Sequence, residues 1–319
     1  GRSDERFSRR FRKPTDFFSP WSEHQKQSAG FLNLRDIKSM IKDPFTHQII
    51  GLAMETHRAL GPGLVEEFYH QHLVARLVKS GIEHLSKPRR DLIYRGFVAD
   101  TFEADLVFER KLIPELKALR GEFAPEHFTQ LLSYSKFWHI RKGMLLDFGK
   151  PSLVPKRVIY TSKTGNFPEV TEPEFVTDAA LAGELVRIAN QCLADIGFGY
   201  RETTWTGLMS AALRAEQIPF VVSPTVVVPN VGTTSLRCLV INNQAAITVT
   251  ALGHEVTAID RACLQTYLRL LGLPWGISFH FGKAKADMKF ASAPKSKLAT
   301  APIYPADSEN PQIEIFQKK

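Results

Sequence analysis

No run of about twenty apolar residues occurs in this 319-residue chain, which excludes a hydrophobic helical membrane span. No secretory signal core opens it. Cysteine is scarce: Cys192, Cys238 and Cys263 form no close-spaced pair, which argues against a zinc site or a disulfide framework. All three read as small buried apolar residues, and their scarcity suits a reducing compartment. None of the ten histidines stands at a convincing metal-binding distance from cysteine or another histidine. His70, His72, His127 and His139 therefore read mostly as surface or capping residues. There is no GxxxxGK[ST] loop and no G-x-G-x-x-G turn, so nucleotide-driven motors and dinucleotide-dependent dehydrogenases lack support.

What is present is a basic, otherwise ordinary composition. Lys and Arg number 41 against 33 Asp and Glu, giving a net charge of +8, and 44% of residues are hydrophobic. That balance favours an anionic partner, with nucleic acid the leading candidate. The length allows two domains with buried cores. Residues 1–45 read as a basic extension whose arginine-rich opening, with interleaved aromatics, suits a flexible arm along phosphates and equally a disordered extension or part of a processed targeting sequence. Residues 166–180 carry prolines and acids and read as a linker. The tail 291–319 is irregular in composition, and its QIEIF run could add an edge strand.

The segment ADLVFERKLIPELKA carries the chemistry. Asp105 opens one apolar run, Glu109-Arg110-Lys111 make a polar turn, and a second run delivers Glu115 and Lys117. Residues two apart on a strand share a face, so Glu115 and Lys117 project together. If the runs pair as a hairpin, Asp105 converges on them. Two carboxylates and a lysine suit metal-assisted phosphodiester hydrolysis: carboxylates are hard ligands for Mg²⁺ or Mn²⁺, and a lysine can steady the attacking water. Upstream, Gly61 and Gly63 mark a turn before a helical pattern of Leu64, Phe68, Leu73, Leu77 and Val78. Glu66 and Tyr69 lie one turn apart there. Downstream, Gln130 and Tyr134 share a face of a second amphipathic helix.

Gly63-x-x-Glu66-x-x-Tyr69, Asp105, Glu115-x-Lys117 and Gln130-x-x-x-Tyr134 together resemble the GxxExxY proteins of the PD-(D/E)XK nuclease superfamily. The resemblance covers roughly residues 46–160. It implies an α/β core with a mixed central sheet flanked by helices. It implies Asp105 and Glu115 as metal ligands, Glu66 as an acidic helper that can join them, Lys117 as the catalytic lysine, and Gln130 with Tyr134 as an accessory pair. Pro114 departs from the pattern, which usually has an aliphatic residue there. Proline removes a ladder donor and is awkward inside a central strand.

The C-terminal half repeats this organisation. Gly61, Gly63, Glu66 and Tyr69 fall opposite Gly197, Gly199, Glu202 and Trp205. Pro88 falls opposite Pro224 and Gly96 opposite Gly232. After a three-residue gap, Leu106 and Val107 match Leu239 and Val240, Tyr134 matches Tyr267, and GMLLDFGK matches GISFHFGK, with Asp147 opposite His280. In this alignment Asp105 becomes Cys238, Glu115 becomes Thr248, Lys117 becomes Thr250 and Gln130 becomes Cys263. Cysteine and threonine do not replace hard carboxylate ligands.

The expected architecture is two tandem restriction-endonuclease-like domains, at 46–165 and 181–290, the second degenerate. The expected activity is metal-dependent cleavage of DNA or RNA, with the second copy as internal partner. A non-catalytic nucleic-acid-binding or scaffold subunit of a larger complex is the alternative. Lys87, Arg89, Arg90 and Arg95, between the first helix and Asp105, read equally as a solvated loop or a grip on a phosphate backbone. His127, three residues before Gln130, is a candidate for an auxiliary substrate contact. The expected location is cytoplasmic or nucleoid-associated, with organellar import open because residue 1 is Gly.

Overall fold

Two glycine-punctuated helix pairs set the frame of the computed structural model, which describes residues 43–228, 230–252 and 256–294. The basic N-terminal extension up to residue 42 and the QIEIF run lie outside the described residues.

Helix α1 (Pro44–Leu60) was not foreseen from apolar spacing, although its start is written in the sequence. Asp43 caps it by accepting from Thr46 N at 3.1 Å, and Pro44 occupies the first turn. Gly61 ends it at φ 68°. Helix α2 (Glu66–Lys79) follows, with Glu66 and Glu67 in its first turn, where the helix dipole favours acids. It buries Tyr69, His70, Leu73 and Leu77, whereas Leu64, Phe68 and Val78 are exposed. The expected apolar stripe therefore splits, because Leu64 precedes the helix and Phe68 stands on a different side of it from Leu73 and Leu77.

Strands β1 (Leu85–Ser86), β2 (Arg89–Tyr94), β3 (Phe97–Glu103) and β4 (Leu106–Val107) follow, β2 and β3 forming an antiparallel ribbon. An antiparallel bridge between Phe108 and Leu112 turns the chain into β5 (Ile113–Lys117), which is the expected hairpin. Helix α3 (Pro125–Phe137) crosses over to β6 (Lys142–Asp147), parallel to β5, and β7 (Val154–Ile159) returns antiparallel. Pro114 does not interrupt β5: it is buried and pairs in register with Met144.

The second half runs α4 (Ala179–Ile196), α5 (Glu202–Ala215), β8 (Phe220–Val222), β9 (Thr225–Val228), β10 (Gly232–Ser235), β11 (Leu239–Ile241), β12 (Ala245–Ala251), α6 (Ala258–Leu271), β13 (Trp275–Phe281) and β14 (Ala286–Ser292). Its five-stranded mixed sheet has the order β14-β13-β12-β11-β8. The strand β14 extends through Ala291 and Ser292, into the segment whose composition suggested an irregular tail. The molecule is thus an α/β protein with mixed sheets flanked by helices. Among the described residues no helix is long and apolar enough to cross a membrane.

The two halves share one core. Leu92, Phe102, Leu131 and Tyr134 belong to the same buried cluster as Leu185, Trp205, Leu208 and Phe281. Helix α5 lies so close to β3 that a Cβ at Gly207 would stand 1.7 Å from Ala99 O. Cys192 and Cys238 are buried as expected, but Cys263 is exposed, on a solvent-facing side of α6.

Candidate active site

The site is assembled at the ends of α2 and β5. Tyr69 fixes the turn that precedes α2: its hydroxyl donates to Gly61 O at 2.7 Å and accepts from Leu64 N at 3.1 Å. Its ring stacks on Phe148 at 4.7 Å. Gly63, at φ 103°, adopts a conformation that side chains disfavour. This anchored turn sets Glu66 at the start of the helix, half-exposed, where Oε1 accepts from Ala118 N at 3.3 Å.

Glu66 thereby meets the end of β5. Lys117 Nζ donates to Glu115 Oε1 at 3.0 Å and lies 3.8 Å from Glu66 Oε2. Asp105 Oδ2 accepts from Leu116 N at 2.7 Å, which draws its carboxylate to the same strand. Glu115 and Lys117 are buried. Burial, and then the neighbouring charge of Asp105, push Glu115 up to about 8 against the opposing pull of Lys117. Burial lowers Lys117, but Glu115, Glu66 and Asp105 outweigh it and hold the ammonium above its ordinary value. Glu115 Oε2 is buried and has no hydrogen-bond partner among the described residues.

Gln130 Nε2 donates to Tyr134 OH at 2.9 Å, so the accessory pair is formed on α3. Tyr134 is pushed up to about 12 by burial and then by Glu115, whose charge its hydroxyl senses. His127 caps α3, in line with its reading as a capping residue: Nδ1 accepts from Ala124 N at 3.0 Å.

The basic residues divide. Arg89 and Arg90 are exposed on β2. Lys87 pairs with Glu67, and Arg95 pairs with Glu216 at 2.7 Å, across to the second half.

Sequence reasoning missed two neighbours of the site. His70 Nε2 contacts Asp105 O at 3.1 Å, so a histidine read as a surface or capping residue is buried against the backbone of an acid ligand candidate. Asp147 Oδ1 accepts from Leu119 N at 3.0 Å and Gly149 N at 2.9 Å, and so holds the segment leaving β5. Asp147 pairs in register with Lys117, a relation that only the parallel β5–β6 ladder reveals.

The arrangement suits a divalent cation. Glu115 Oε2 is a buried carboxylate oxygen that accepts from no donor among the described residues, and with the Asp105 carboxylate on the same strand it offers hard oxygen ligands. Among the described residues no three His, Cys, Asp or Glu side chains are gathered as a cage. Mg²⁺ does not require one, since it keeps several waters and takes one or two carboxylates together with substrate phosphate.

Residues 43–158 match a family model described as the PD-(D/E)XK nuclease superfamily, and this match supports that superfamily for the segment holding the site. No curated protein matches the chain. A solved structure titled "Crystal structure of SSO0001" matches at 16% sequence identity with a TM-score of 0.24, covering 30% of this chain and 50% of that one. The match thus spans half the length of that chain.

Proposed function

We propose that this protein is a metal-dependent nuclease of the GxxExxY type that hydrolyses phosphodiester bonds of DNA or RNA. The observation that carries the reading is the meeting of Glu66 and Glu115 at Lys117, with Asp105 held against the same strand and Glu115 Oε2 given no donor among the described residues. Asp105 and Glu115 would hold Mg²⁺ or Mn²⁺, with Glu66 at its edge. The ion, when bound, activates water and offsets charge on phosphate. Lys117, held by Glu115 and Glu66, stays protonated and presents its ammonium to the developing negative charge. Gln130 and Tyr134 would contact metal-bound water or the nucleic acid.

The second half is, in this reading, a degenerate copy at 181–290 beside a catalytic domain at 46–165. Matching strand registers support the duplication. Leu106 pairs with Ser86 as Leu239 pairs with Val222, and Glu115 pairs with Leu145 as Thr248 pairs with Ser278. Left-handed backbone positions recur in the same order: Gly81 and Gln217, Lys87 and Ser223, Arg110 and Asn243, His139 and Gly272. At the counterpart of the site, Thr248 bonds Ser278 at 2.8 Å and Thr250 bonds His280 at 2.8 Å, hydroxyl chemistry where the first half has Glu115 and Lys117.

One observation favours the scaffold reading, in which the chain binds nucleic acid within a larger complex. Lys117 and Glu115 already neutralise one another at 3.0 Å. Single-turnover cleavage of labelled DNA and RNA with Mg²⁺ or Mn²⁺, beside Lys117→Ala and Glu115→Gln, separates the two. Wild-type cleavage lost in both variants, with binding retained, supports the nuclease. Wild-type binding without cleavage under any divalent metal establishes the scaffold.

A further inference from the structure

Helix α3 carries the Gln130–Tyr134 pair on one face and Ser133 and Lys136 on the adjoining one. The second pair reaches into the C-terminal half. Lys136 is buried, and among the described residues no carboxylate pairs with it. Its Nζ donates to the backbone carbonyls of Gly197 and Phe198, the latter at 2.6 Å, and lies 4.6 Å from the Tyr200 ring centre, while burial pushes the amine well below its ordinary value. Gly197 caps the C-terminus of α4, and the carbonyls at this helix end satisfy the buried donors of Nζ. Ser133 Oγ donates to Thr129 O at 2.9 Å and accepts from Arg201 N at 3.0 Å.

The same loop also reaches Tyr134 from its other side. Tyr200 stacks on Phe102 at 5.6 Å, and Phe102 meets Tyr134 edge-on at 6.0 Å. Arg201 lies over the Phe102 ring and pairs with Asp100 at 3.2 Å. Gly197–Arg201 is the sequence counterpart of Gly61–Val65, the turn that sets Glu66 in the first half.

We infer that the C-terminal half works as a clamp on the first half's site: Lys136 and Ser133 are positioning residues through which the Gly197–Arg201 loop holds α3, and with it the Gln130–Tyr134 pair, in place beside Glu115. A loop that sets an acid in one half is thereby used in the other for its carbonyls and its backbone amide. This accounts for a half that has kept its glycines while losing its metal ligands. The kinetic part of the inference rests on the nuclease reading; the structural part does not.

The test compares wild type with Lys136→Met, which keeps the length but removes the donors, and with Ser133→Ala, all in the full chain. Hydrogen exchange is followed over residues 130–137 beside single-turnover cleavage and Mn²⁺ affinity. The expected result is faster exchange in α3, kcat lowered about tenfold by misplacement of the pair, and unchanged KM and Mn²⁺ affinity. Ser133→Thr, which keeps the hydroxyl, should restore both exchange and rate, and Glu202→Gln should alter neither. If Lys136→Met does not fold, the two Ser133 variants carry the test. Unchanged exchange over 130–137 in the folded variants overturns the clamp. So does a loss of kcat that merely follows a loss of Mn²⁺ affinity. If wild type cuts nothing, the nuclease reading falls, and the exchange measurement still decides the clamp.

Discussion

Asp105 accepts a hydrogen bond through Oδ2 from the backbone amide of Leu116 at 2.7 Å, and so lies against the strand between Glu115 and Lys117. A carboxylate held by the backbone of the strand that carries its partners cannot swing away from them. The nearby negative charge adds to burial in raising Glu115.

That relationship predicts how metal affinity depends on pH. Glu115 is protonated below about 8 in the folded chain, and a metal ligand must be deprotonated. Affinity for Mn²⁺ should therefore rise as pH approaches 8, by up to about tenfold per unit for one released proton. Calorimetry at several pH values checks this. Asp105→Asn should weaken binding, and equal affinities for it and wild type would rule out the assigned ligands. In stability the sign is opposite. Because the folded value is raised above the ordinary 4.5, the metal-free protein loses Glu115's contribution as pH rises from about 4.5 to about 8. Glu115→Gln should flatten that loss in urea titrations.

Tyr69→Phe should destabilise the fold by about 1–3 kcal/mol, since two hydrogen bonds to the Gly61–Leu64 turn are lost while the ring stays stacked on Phe148. Urea unfolding measures it. A change within error would mean that the glycines alone hold the turn.

Gly207→Ala should be among the most damaging single-methyl additions. The new Cβ would meet Ala99 O at 1.7 Å, a backbone atom that cannot move aside as a flexible side chain could. Overpacking of this kind costs about 1–3 kcal/mol or more. Thermal unfolding should show a lowered midpoint, with α5 displaced from β3.

Charge reversal at Arg89 and Arg90 should weaken nucleic-acid binding and flatten its salt dependence, because both are exposed on β2. Reversal at Arg95 should act instead on stability, through its ion pair with Glu216. Salt-titrated binding separates the two, and an unchanged salt slope in the Arg89/Arg90 variant would remove that strand from the interface.

The sequence by itself determined the parts of this protein whose logic is local. The alternation of Glu115 and Lys117 put both on one strand face, the polar Glu109–Lys111 turn announced the hairpin that brings Asp105 to them, and Gln130 and Tyr134 met because residues four apart share a helix face. Glycines needed at left-handed positions marked the starts of α2 and α5. The tertiary structure alone decided what depends on residues distant in the chain. A lysine in the last turn of α3 carries no special meaning until the loop at Gly197 is seen to offer it two carbonyls. Asp147 acquires meaning from a parallel ladder whose partner is thirty residues away, and Arg95 changes from a candidate phosphate contact to a structural ion pair because Glu216 lies opposite it. Local periodicity fixes which way a side chain points along its own element, whereas desolvation and charge pairing depend on what the rest of the chain brings to that point.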